Sequence, residues 1–327
     1  MIIKKRETTL AIEKLQALLR RLPSHHPLLP EIADELSNRL AGESGENSID
    51  YPLSFLPSED YFIFHGLRLF HEPHFFQMDT LIVTRKFLLV IEVKNISGLL
   101  YFDQHLQQLI RTKKDGVRQI FSDPILQVKR QKSLLEGWLV RNHFPPIPVT
   151  SLVIMSNPLT AISSNLEHRE LSQLVTHRDS LPDRVTRLSE EFLGKDLPLH
   201  DFKRLLMTLQ KQHTPLDPAI LTQFKLTTDD LKEGVLCPSC SYSPLPRVYG
   251  SWHCPRCQVK HKDAHVKALK DYALLFGTQI TNREARKYLK LESDALVKRI
   301  LNKVGRKHKG ITKGSVYDLS HLRKESE

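Results

Sequence analysis

The feature that most constrains this chain is a charged tripeptide at the end of an apolar run. The run Phe87–Ile91 is typical of a strand buried on both faces, and Glu92-Val93-Lys94 follows it directly. Alternate side chains of a strand point to opposite faces, so Glu92 and Lys94 share one face. Asp79 lies thirteen positions before Glu92, in the preceding strand pattern. We expect these charged groups to face one another, although a solvated salt bridge on an exposed strand is the alternative.

Charge is distributed unevenly along the 327 residues. Residues 1–231 contain 28 Lys and Arg and 28 Asp and Glu, whereas residues 232–327 contain 20 and 9. The formal excess of +11 therefore lies in the last 96 residues. A basic segment with folded periodicity is typical of proteins that bind polyanions. Because no strongly apolar helix face accompanies the charge, we favour nucleic acid over an anionic membrane surface.

Composition excludes several other classes of protein. No apolar window approaches the length of a membrane span, and the basic N-terminus leads into an amphipathic helix rather than an apolar signal core. All four cysteines lie within residues 237–257, which indicates a metal site rather than disulfides. We therefore expect a cytoplasmic protein with no membrane partner.

The order of the local patterns predicts a mixed α/β core. Helical patterns cover 7–22 and about 30–41, and residues 42–46 open or interrupt a third that runs to about 56. A helix over 124–142 begins with Pro at its first turn. Strand patterns lie at 61–69, 76–84, 87–95, 98–103 and 150–156. We expect strand 98–103 to pair onto its predecessors and the fold to cover about 40–195.

The chemistry of this core is that of a divalent metal site. Mg²⁺ prefers oxygen ligands, which the carboxylates of Asp79 and Glu92 and the carbonyl of Val93 supply. Lys94 is suited to orient or deprotonate an attacking water and to offset charge on phosphorus. Gln127 can hydrogen-bond that water or a ligand carboxylate.

Neighbouring residues extend this candidate site. Glu43 and Glu46 occupy positions i and i+3 of a helix, so both can approach the same metal. Lys129 and Arg130 are placed to contact phosphates. Three further polar residues are weaker site candidates, and for each we favour a surface or strand-edge position: His65, Arg111 and Arg118.

Four motifs give residues 42–138 a family resemblance. They are GESGE at 42–46, FQMDTLIV at 76–83, IEVKNISG at 91–98 and DPILQVKRQ at 123–131. Together they resemble the NERD (nuclease-related) domain of the PD-(D/E)XK nuclease superfamily. The resemblance implies a restriction-endonuclease-like mixed sheet flanked by helices and an Mg²⁺-dependent (or Mn²⁺-dependent) DNA nuclease. It also implies the site positions Glu46, Asp79, Glu92, Lys94 and Gln127, and we favour Glu46 over Glu43 as the helical glutamate.

Two Cys-X-X-Cys pairs predict a zinc ribbon. Cys237 and Cys240 form the first pair, and Cys254 and Cys257 form the second after 13 intervening residues. Tetrahedral Zn²⁺ takes four thiolates, two from each tight turn. A redox role is the alternative, but redox proteins rarely need two such pairs. We expect a closed structural site that supplies folding energy.

The basic tail predicts a winged helix-turn-helix. Helices are expected over 264–276, from the capping box at Thr281 to 289, and over 294–304, followed by a glycine-punctuated hairpin over 305–319. The third helix and the hairpin would contact DNA. The contacting residues would be Lys298, Arg299, Lys303, Arg306, Lys307, Lys309 and Lys313. A small helical domain for protein contact is the alternative.

Together these patterns divide the chain into five segments: an N-terminal helical segment (1–41), a nuclease-like α/β domain (42–195), a helical linker (196–231), a four-cysteine zinc ribbon (232–262) and a winged-helix-like domain (263–327). The leading hypothesis is a DNA nuclease of processing, repair or defence against foreign DNA. A non-cleaving DNA-binding or regulatory protein on the same fold is the rival, and a protein-interaction adaptor is the third hypothesis. Homo-oligomer formation and protein partners are left open.

Overall fold

The computed structural model describes residues 1–309 and 315–323. Its helices, in chain order, are α1 Leu10–Arg21, α2 Leu29–Asn47, α3 Asp50–Leu53, α4 Pro124–Arg141, α5 His168–Leu174, α6 Leu181–Glu191, α7 Leu199–Gln212, α8 Ile220–Gln223, α9 Ala264–Leu275, α10 Asn282–Leu289 and α11 Asp294–Val304. Its strands are β1 Ile2–Lys4, β2 Phe62–His71, β3 His74–Val83, β4 Leu88–Lys94, β5 Gly98–Asp103, β6 Gln108–Thr112, β7 Arg118–Ser122, β8 Val149–Met155, β9 Thr160–Ser164, β10 Val175–His177, β11 Arg247–Val248, β12 Ser251–His253, β13 Lys260–His261, β14 Gln279–Thr281, β15 Arg306–Lys309 and β16 Val316–Asp318.

The chain forms two compact units that alternate along the sequence. The first unit comprises Met1–Glu7 and Arg39–Pro215, and the second comprises Thr8–Asn38 and Leu216–Glu327. Helix α2 therefore begins in the second unit and ends in the first. The five-segment division of the sequence stays a prediction.

A mixed six-stranded sheet is the centre of the first unit. Its strand order is β1-β2-β3-β4-β8-β10, in which β2, β3 and β4 are antiparallel and the remaining pairs are parallel. Apolar side chains cover both faces, with one core beneath α4 and α7 and the other beneath α3 and α6. Strand β4 is buried on both faces until Lys94, as its apolar run predicted. The expected mixed α/β class is confirmed.

The predicted pairing of strand 98–103 with the preceding strands is wrong. Strand β5 belongs instead to a separate four-stranded sheet, ordered β7-β6-β5-β9. It pairs antiparallel with β6 and parallel with β9. The sequence shows where a strand lies, but its neighbour is chosen by long-range packing.

Residues 42–46 neither open nor interrupt a helix, contrary to expectation. They lie inside α2, which runs without a break from Leu29 to Asn47. Glycine disfavours a helix interior by only about 1 kcal/mol, so tertiary packing overrides it here. The short helix α3 then turns the chain toward β2.

The second unit joins α1 to the basic C-terminal part of the chain. Helix α1 packs against α9, and the guanidinium of Arg21 donates to Asp271 at 2.9 Å. Both side chains are buried, with exposed fractions of 1% and 2%. Arg21 also donates to the carbonyl of Gly234 at 2.7 Å. The first helix is therefore an internal part of this unit.

The C-terminal elements occur in the expected order. Thr281 accepts from the N–H of Glu284, whose carboxylate accepts in return from Thr281, so the predicted capping box is present. After α11, strands β15 and β16 pair antiparallel. Strand β14, which the sequence did not predict, pairs with β16 and completes a three-stranded sheet. Among the described residues, no helix combines the length and apolarity required to cross a membrane.

Candidate active site and metal centre

Strands β3 and β4 bring Asp79 beside the charged tripeptide. Their antiparallel register pairs Thr80 with Ile91, so Asp79 lies level with the end of β4. One carboxylate oxygen of Asp79, Oδ2, accepts from the backbone N–H of Val93 at 2.9 Å. This hydrogen bond holds the side chain of Asp79 at the edge of the sheet, beside Glu92-Val93-Lys94.

Glu92 and Lys94 share one face of β4, as the strand period predicted. Lys94 Nζ donates to Glu92 Oε1 at 2.6 Å and to Gln127 Oε1 at 3.1 Å. The other oxygen of Glu92, Oε2, accepts from Gln131 Nε2 at 2.8 Å. Glu92 is 2% exposed, so this is a desolvated, fully engaged carboxylate rather than a solvated salt bridge.

Helix α4 presents Gln127 and Gln131 to the site because of how it begins. Asp123 caps the helix by accepting from the N–H of Ile125 at 2.9 Å, and Pro124 occupies its first turn. Gln127 and Gln131 are four residues apart and so lie on one face. Gln131 lies in the DPILQVKRQ motif, but its contact with Glu92 was not predicted.

A glycine allows α2 to approach the same edge. A Cβ built on Gly45 would lie 2.5 Å from Asn95 Cβ, closer than packed atoms allow, and 3.0 Å from Ser156 Oγ. Asn95 also donates to the carbonyl of Ala41 at 2.9 Å. This close packing of the last turns of α2 against the ends of β4 and β8 sets the position of Glu46.

The site concentrates negative charge in a desolvated place. Desolvation raises the pKa of Asp79 well above its usual range, and the charges of Glu92 and Glu46 raise it further. Desolvation likewise raises the pKa of Glu46; Arg6 opposes that shift, while Glu92 and Glu43 add to it. Such perturbed carboxylates are typical of functional sites.

A nuclease-related domain covers this site. Residues 41–156 match the family model of the nuclease-related domain, NERD. The match includes the segment 42–138 that carries the motif resemblance, and extends through β8. The resemblance to NERD is confirmed. No curated protein and no solved structure matches the chain.

The NERD domain gathers the predicted site residues at one edge of its sheet. Those in contact or in electrostatic interaction are Glu46, Asp79, Glu92, Val93, Lys94 and Gln127. Glu43 lies one turn before Glu46 and interacts with its charge. Lys129 and Arg130 are exposed on α4. The chemical roles of all these residues stay predictions.

Sequence reasoning misplaced one residue and missed another. His65 is buried rather than at the surface, since it lies on β2 between β1 and β3, and its Nδ1 bonds the hydroxyl of buried Thr80 at 3.1 Å. Arg6 was given no role, yet its guanidinium donates to Glu46 Oε2 at 3.1 Å. Forty positions separate Arg6 from Glu46, and no local pattern joins them. Arg118 is exposed on β7, the edge strand of its sheet, as expected, whereas Arg111 is partly exposed on the interior strand β6, where it donates to the carbonyl of Ser97 at 2.7 Å.

Outside the NERD domain, the four cysteines converge as predicted. The Sγ atoms of Cys240 and Cys254 lie 3.4 Å apart, and those of Cys237 and Cys257 lie 3.6 Å apart. Tetrahedral Zn²⁺ with Zn–S bonds of about 2.3 Å requires sulfurs about 3.8 Å apart, so the cluster fits zinc. Across the described ranges, no other group of three or more His, Cys, Asp or Glu brings its donor atoms within 4.8 Å of one another.

Each cysteine pair lies on an equivalent tight turn. Ser241 and Gln258, which follow the two pairs, both have left-handed backbones with φ of 59° and 62°. Their N–H groups donate to the carbonyls of Cys237 and Cys254, both at 2.9 Å. Strands β11, β12 and β13 form a three-stranded sheet around the second turn. This is the arrangement expected of a zinc ribbon.

Buried histidine is unnecessary to this metal site. His265 Nδ1 accepts from Trp252 Nε1 at 3.1 Å, and both side chains are buried. Desolvation lowers the pKa of His265 to about 4, so it is neutral and suited to accept that bond. His265 therefore supports the ribbon core rather than the metal.

Exposed lysine and arginine side chains lie C-terminal to the ribbon, where the sequence predicted them. The exposed members on α11 and at the start of β15 are Lys298, Arg299, Lys303 and Arg306. Lys303 lies 3.6 Å from the carboxylate of Asp263, also exposed. For Lys307 and Lys309 the structure describes the backbone, and Lys313 lies outside the described residues.

Proposed function

We propose that this protein is a divalent-metal-dependent DNA nuclease whose basic second unit binds its substrate. The main support is the network at the edge of the NERD sheet, in which Lys94 contacts both Glu92 and Gln127, with Asp79 adjacent. The structural role of a zinc ribbon and the DNA contacts of a winged helix belong to the same proposal.

The donor set of the site suits Mg²⁺ or Mn²⁺. Asp79 and Glu46 each have a raised pKa, partly because neighbouring carboxylates repel them. A hard divalent cation would relieve that repulsion; Asp79, Glu92 and the Val93 carbonyl would hold it directly, and Glu46 through a water. Once bound, such an ion would activate water and neutralise charge on the phosphate.

The contacts of Lys94 narrow its role. An ammonium has three donors and no lone pair, so while paired with Glu92 it donates protons and accepts none. We therefore favour Lys94 as the group that orients the water and stabilises charge on phosphorus, rather than as the base. Glu46, whose pKa is raised, is better suited to accept the proton that the attacking water loses.

A cleavage assay with matched carboxylate variants tests the proposal. Wild type, Asp79→Asn and Glu92→Gln would be incubated with supercoiled, linear, single-stranded and branched DNA and with RNA, in Mg²⁺, Mn²⁺ or EDTA. We expect cleavage of DNA by the wild type in metal and a loss of at least about 100-fold in both variants. The control is Glu190→Gln, at an exposed position of α6. Equal activity of wild type and site variants on every substrate would overturn the enzyme assignment.

A non-cleaving DNA-binding protein is the second candidate. Cations already engage two of the site carboxylates, because Arg6 contacts Glu46 and Lys94 contacts Glu92. This candidate predicts DNA binding without cleavage. In either case, replacing Lys298, Arg299 and Arg306 by Gln should reduce the slope of log K against log salt by about 0.9 for each phosphate that the variant no longer neutralises.

A further inference from the structure

Arg6 connects the N-terminal strand to the candidate active site. It follows β1, which pairs in parallel with β2 at the edge of the main sheet. Its Nη1 donates to Glu46 Oε2 at 3.1 Å, and its Nε donates to Asp50 Oδ1 at 3.0 Å. The remaining nitrogen, Nη2, donates to Thr80 Oγ1 at 3.1 Å. Only 12% of the Arg6 side chain is exposed.

The partners of Arg6 are themselves held in place. Thr80 is fully buried, directly follows Asp79 on β3, and shares a 3.1 Å hydrogen bond with His65 Nδ1. His65 is 2% exposed, and its carbonyl accepts from Lys4 Nζ at 2.9 Å. Because Thr80 is held in place, the planar guanidinium of Arg6 has one orientation, in which it also contacts Glu46.

Glu46 needs a cation for electrostatic reasons. It lies in the last turn of α2, where the helix macrodipole disfavours a carboxylate. The carboxylates of Glu92 and Glu43 repel it in the same unfavourable sense, whereas Arg6 is a cationic partner in direct contact at 3.1 Å. No sequence motif of the domain includes Arg6.

We propose that Arg6 is a positioning residue that holds Glu46 at the metal edge of the NERD domain. The inference rests on the proposed nuclease function, since it assigns Arg6 to the metal-binding edge. The backbone pairing of β1 with β2 is independent of the Arg6 side chain, so variants at this position should keep the fold.

The test combines kinetics with a metal titration. Arg6→Gln and Arg6→Lys would be compared with wild type in single-turnover cleavage and in Mn²⁺ binding by calorimetry, with Lys5→Gln as the exposed neighbouring control. We expect Arg6→Gln to weaken Mn²⁺ binding by about 10–100-fold and to lower kcat by a similar factor, with KM for DNA nearly unchanged. Arg6→Lys keeps the positive charge but lacks the planar set of N–H donors, so its loss should be smaller than that of Arg6→Gln.

A double variant separates positioning from general stabilisation. If Arg6 acts through Glu46, Arg6→Gln with Glu46→Gln should be no more impaired than Glu46→Gln alone. Multiplicative losses, or wild-type Mn²⁺ affinity and kcat in folded Arg6→Gln and Arg6→Lys, would overturn the inference while the nuclease assignment stands. A wild type that neither cleaves DNA nor binds Mn²⁺ would overturn both.

Discussion

Gln131 Nε2 lies 2.8 Å from Glu92 Oε2, and both side chains are buried. Lys94 donates to the opposite oxygen of that carboxylate, so Glu92 is fixed from two sides. Under the proposed function Glu92 holds the metal, and replacing a residue that orients a metal ligand typically changes metal affinity or activity by 10–100-fold. The hydrogen bond therefore gives Gln131 a testable role.

We expect Gln131→Ala to reduce metal affinity and cleavage by about 10–100-fold, because Glu92 loses a donor and its freedom of rotation rises. Leaving a buried acceptor unpaired should also lower the free energy of unfolding by about 1–3 kcal/mol. Mn²⁺ titration and denaturant unfolding measure the two effects. Ser133→Ala, at an exposed position of the same helix, is the control. Identical metal binding in both variants would contradict the role of Gln131.

Asp79→Asn should stabilise the first unit when metal is absent. Desolvation, Glu92 and Glu46 raise the pKa of Asp79, so the folded state disfavours its charged form. Above its raised pKa, the charged carboxylate of Asp79 lowers the free energy of unfolding. This penalty shrinks as pH falls below the raised pKa and is gone below the ordinary value of 3.8. We expect a gain of about 0.5–2 kcal/mol at neutral pH in EDTA.

Hydrogen exchange of the β3 and β4 peptides at neutral and mildly acidic pH measures this gain. Asparagine keeps an oxygen acceptor for the Val93 N–H, so the comparison isolates the charge. The advantage of Asp79→Asn should shrink with acidification, and added Mn²⁺ should reverse it. A gain independent of pH would point to packing instead.

Two glycines of one motif should respond oppositely to alanine. Gly45→Ala places a methyl group 2.5 Å from Asn95 Cβ, so α2 must move and Glu46 with it. A Cβ built on Gly42 has no atom within 4 Å. Gly42→Ala should therefore keep activity and raise the free energy of unfolding by about 0.5–1 kcal/mol. Thermal unfolding and cleavage rates distinguish the two. Equal activity of both variants would show that the close approach is dispensable.

The local parts of this fold could be predicted from sequence, and the long-range parts could not. Strand β4, the cap of α10 and the cysteine turns each depend on residues within a few positions of one another. The contact of Arg6 with Glu46 and that of Arg21 with Asp271 span 40 and 250 positions. Those contacts follow from packing, for which one sequence provides no periodic signal.

The same distinction explains the errors. The glycines at 42 and 45 led to the prediction that residues 42–46 open or interrupt a helix, but α2 runs through both of them and packs closely at Gly45. His65 was correctly predicted to lie in a strand. Its burial was not, because its hydrogen-bond partner, Thr80, lies on the neighbouring strand β3. The charged edge of β4 was predictable because it interrupts an apolar run.

We expect the four cysteines to hold zinc and its removal to unfold the ribbon. Cys237, Cys254 and Trp252 belong to one buried cluster of the second unit, so that core depends on the thiolates being held together. We expect one Zn²⁺ per chain by mass spectrometry and a red shift of Trp252 emission on chelation. A Trp138→Phe background removes the other tryptophan, which lies in the first unit. Unchanged Trp252 emission after complete zinc loss would contradict this dependence.

Removing one partner of the buried ion pair between Arg21 and Asp271 should lower the free energy of unfolding substantially. Asp271→Ala leaves a guanidinium that is 1% exposed without its carboxylate, which typically lowers stability by about 3–5 kcal/mol. Arg21→Met combined with Asp271→Leu should recover much of that loss. Arg20 also donates to Asp271 at 2.7 Å but is 31% exposed, so Arg20→Ala should lower stability less than Asp271→Ala does. Denaturant unfolding followed by Trp252 emission measures each variant.

The alternation of the two units along the chain has a consequence for inheritance. Helix α1 packs within the same unit as the ribbon and the basic hairpin, although more than 200 residues separate them. A recombination event that exchanged only one end of the gene would leave that unit without part of its core. Related genes that retain the cysteine turns should therefore also retain a basic residue at the position of Arg21.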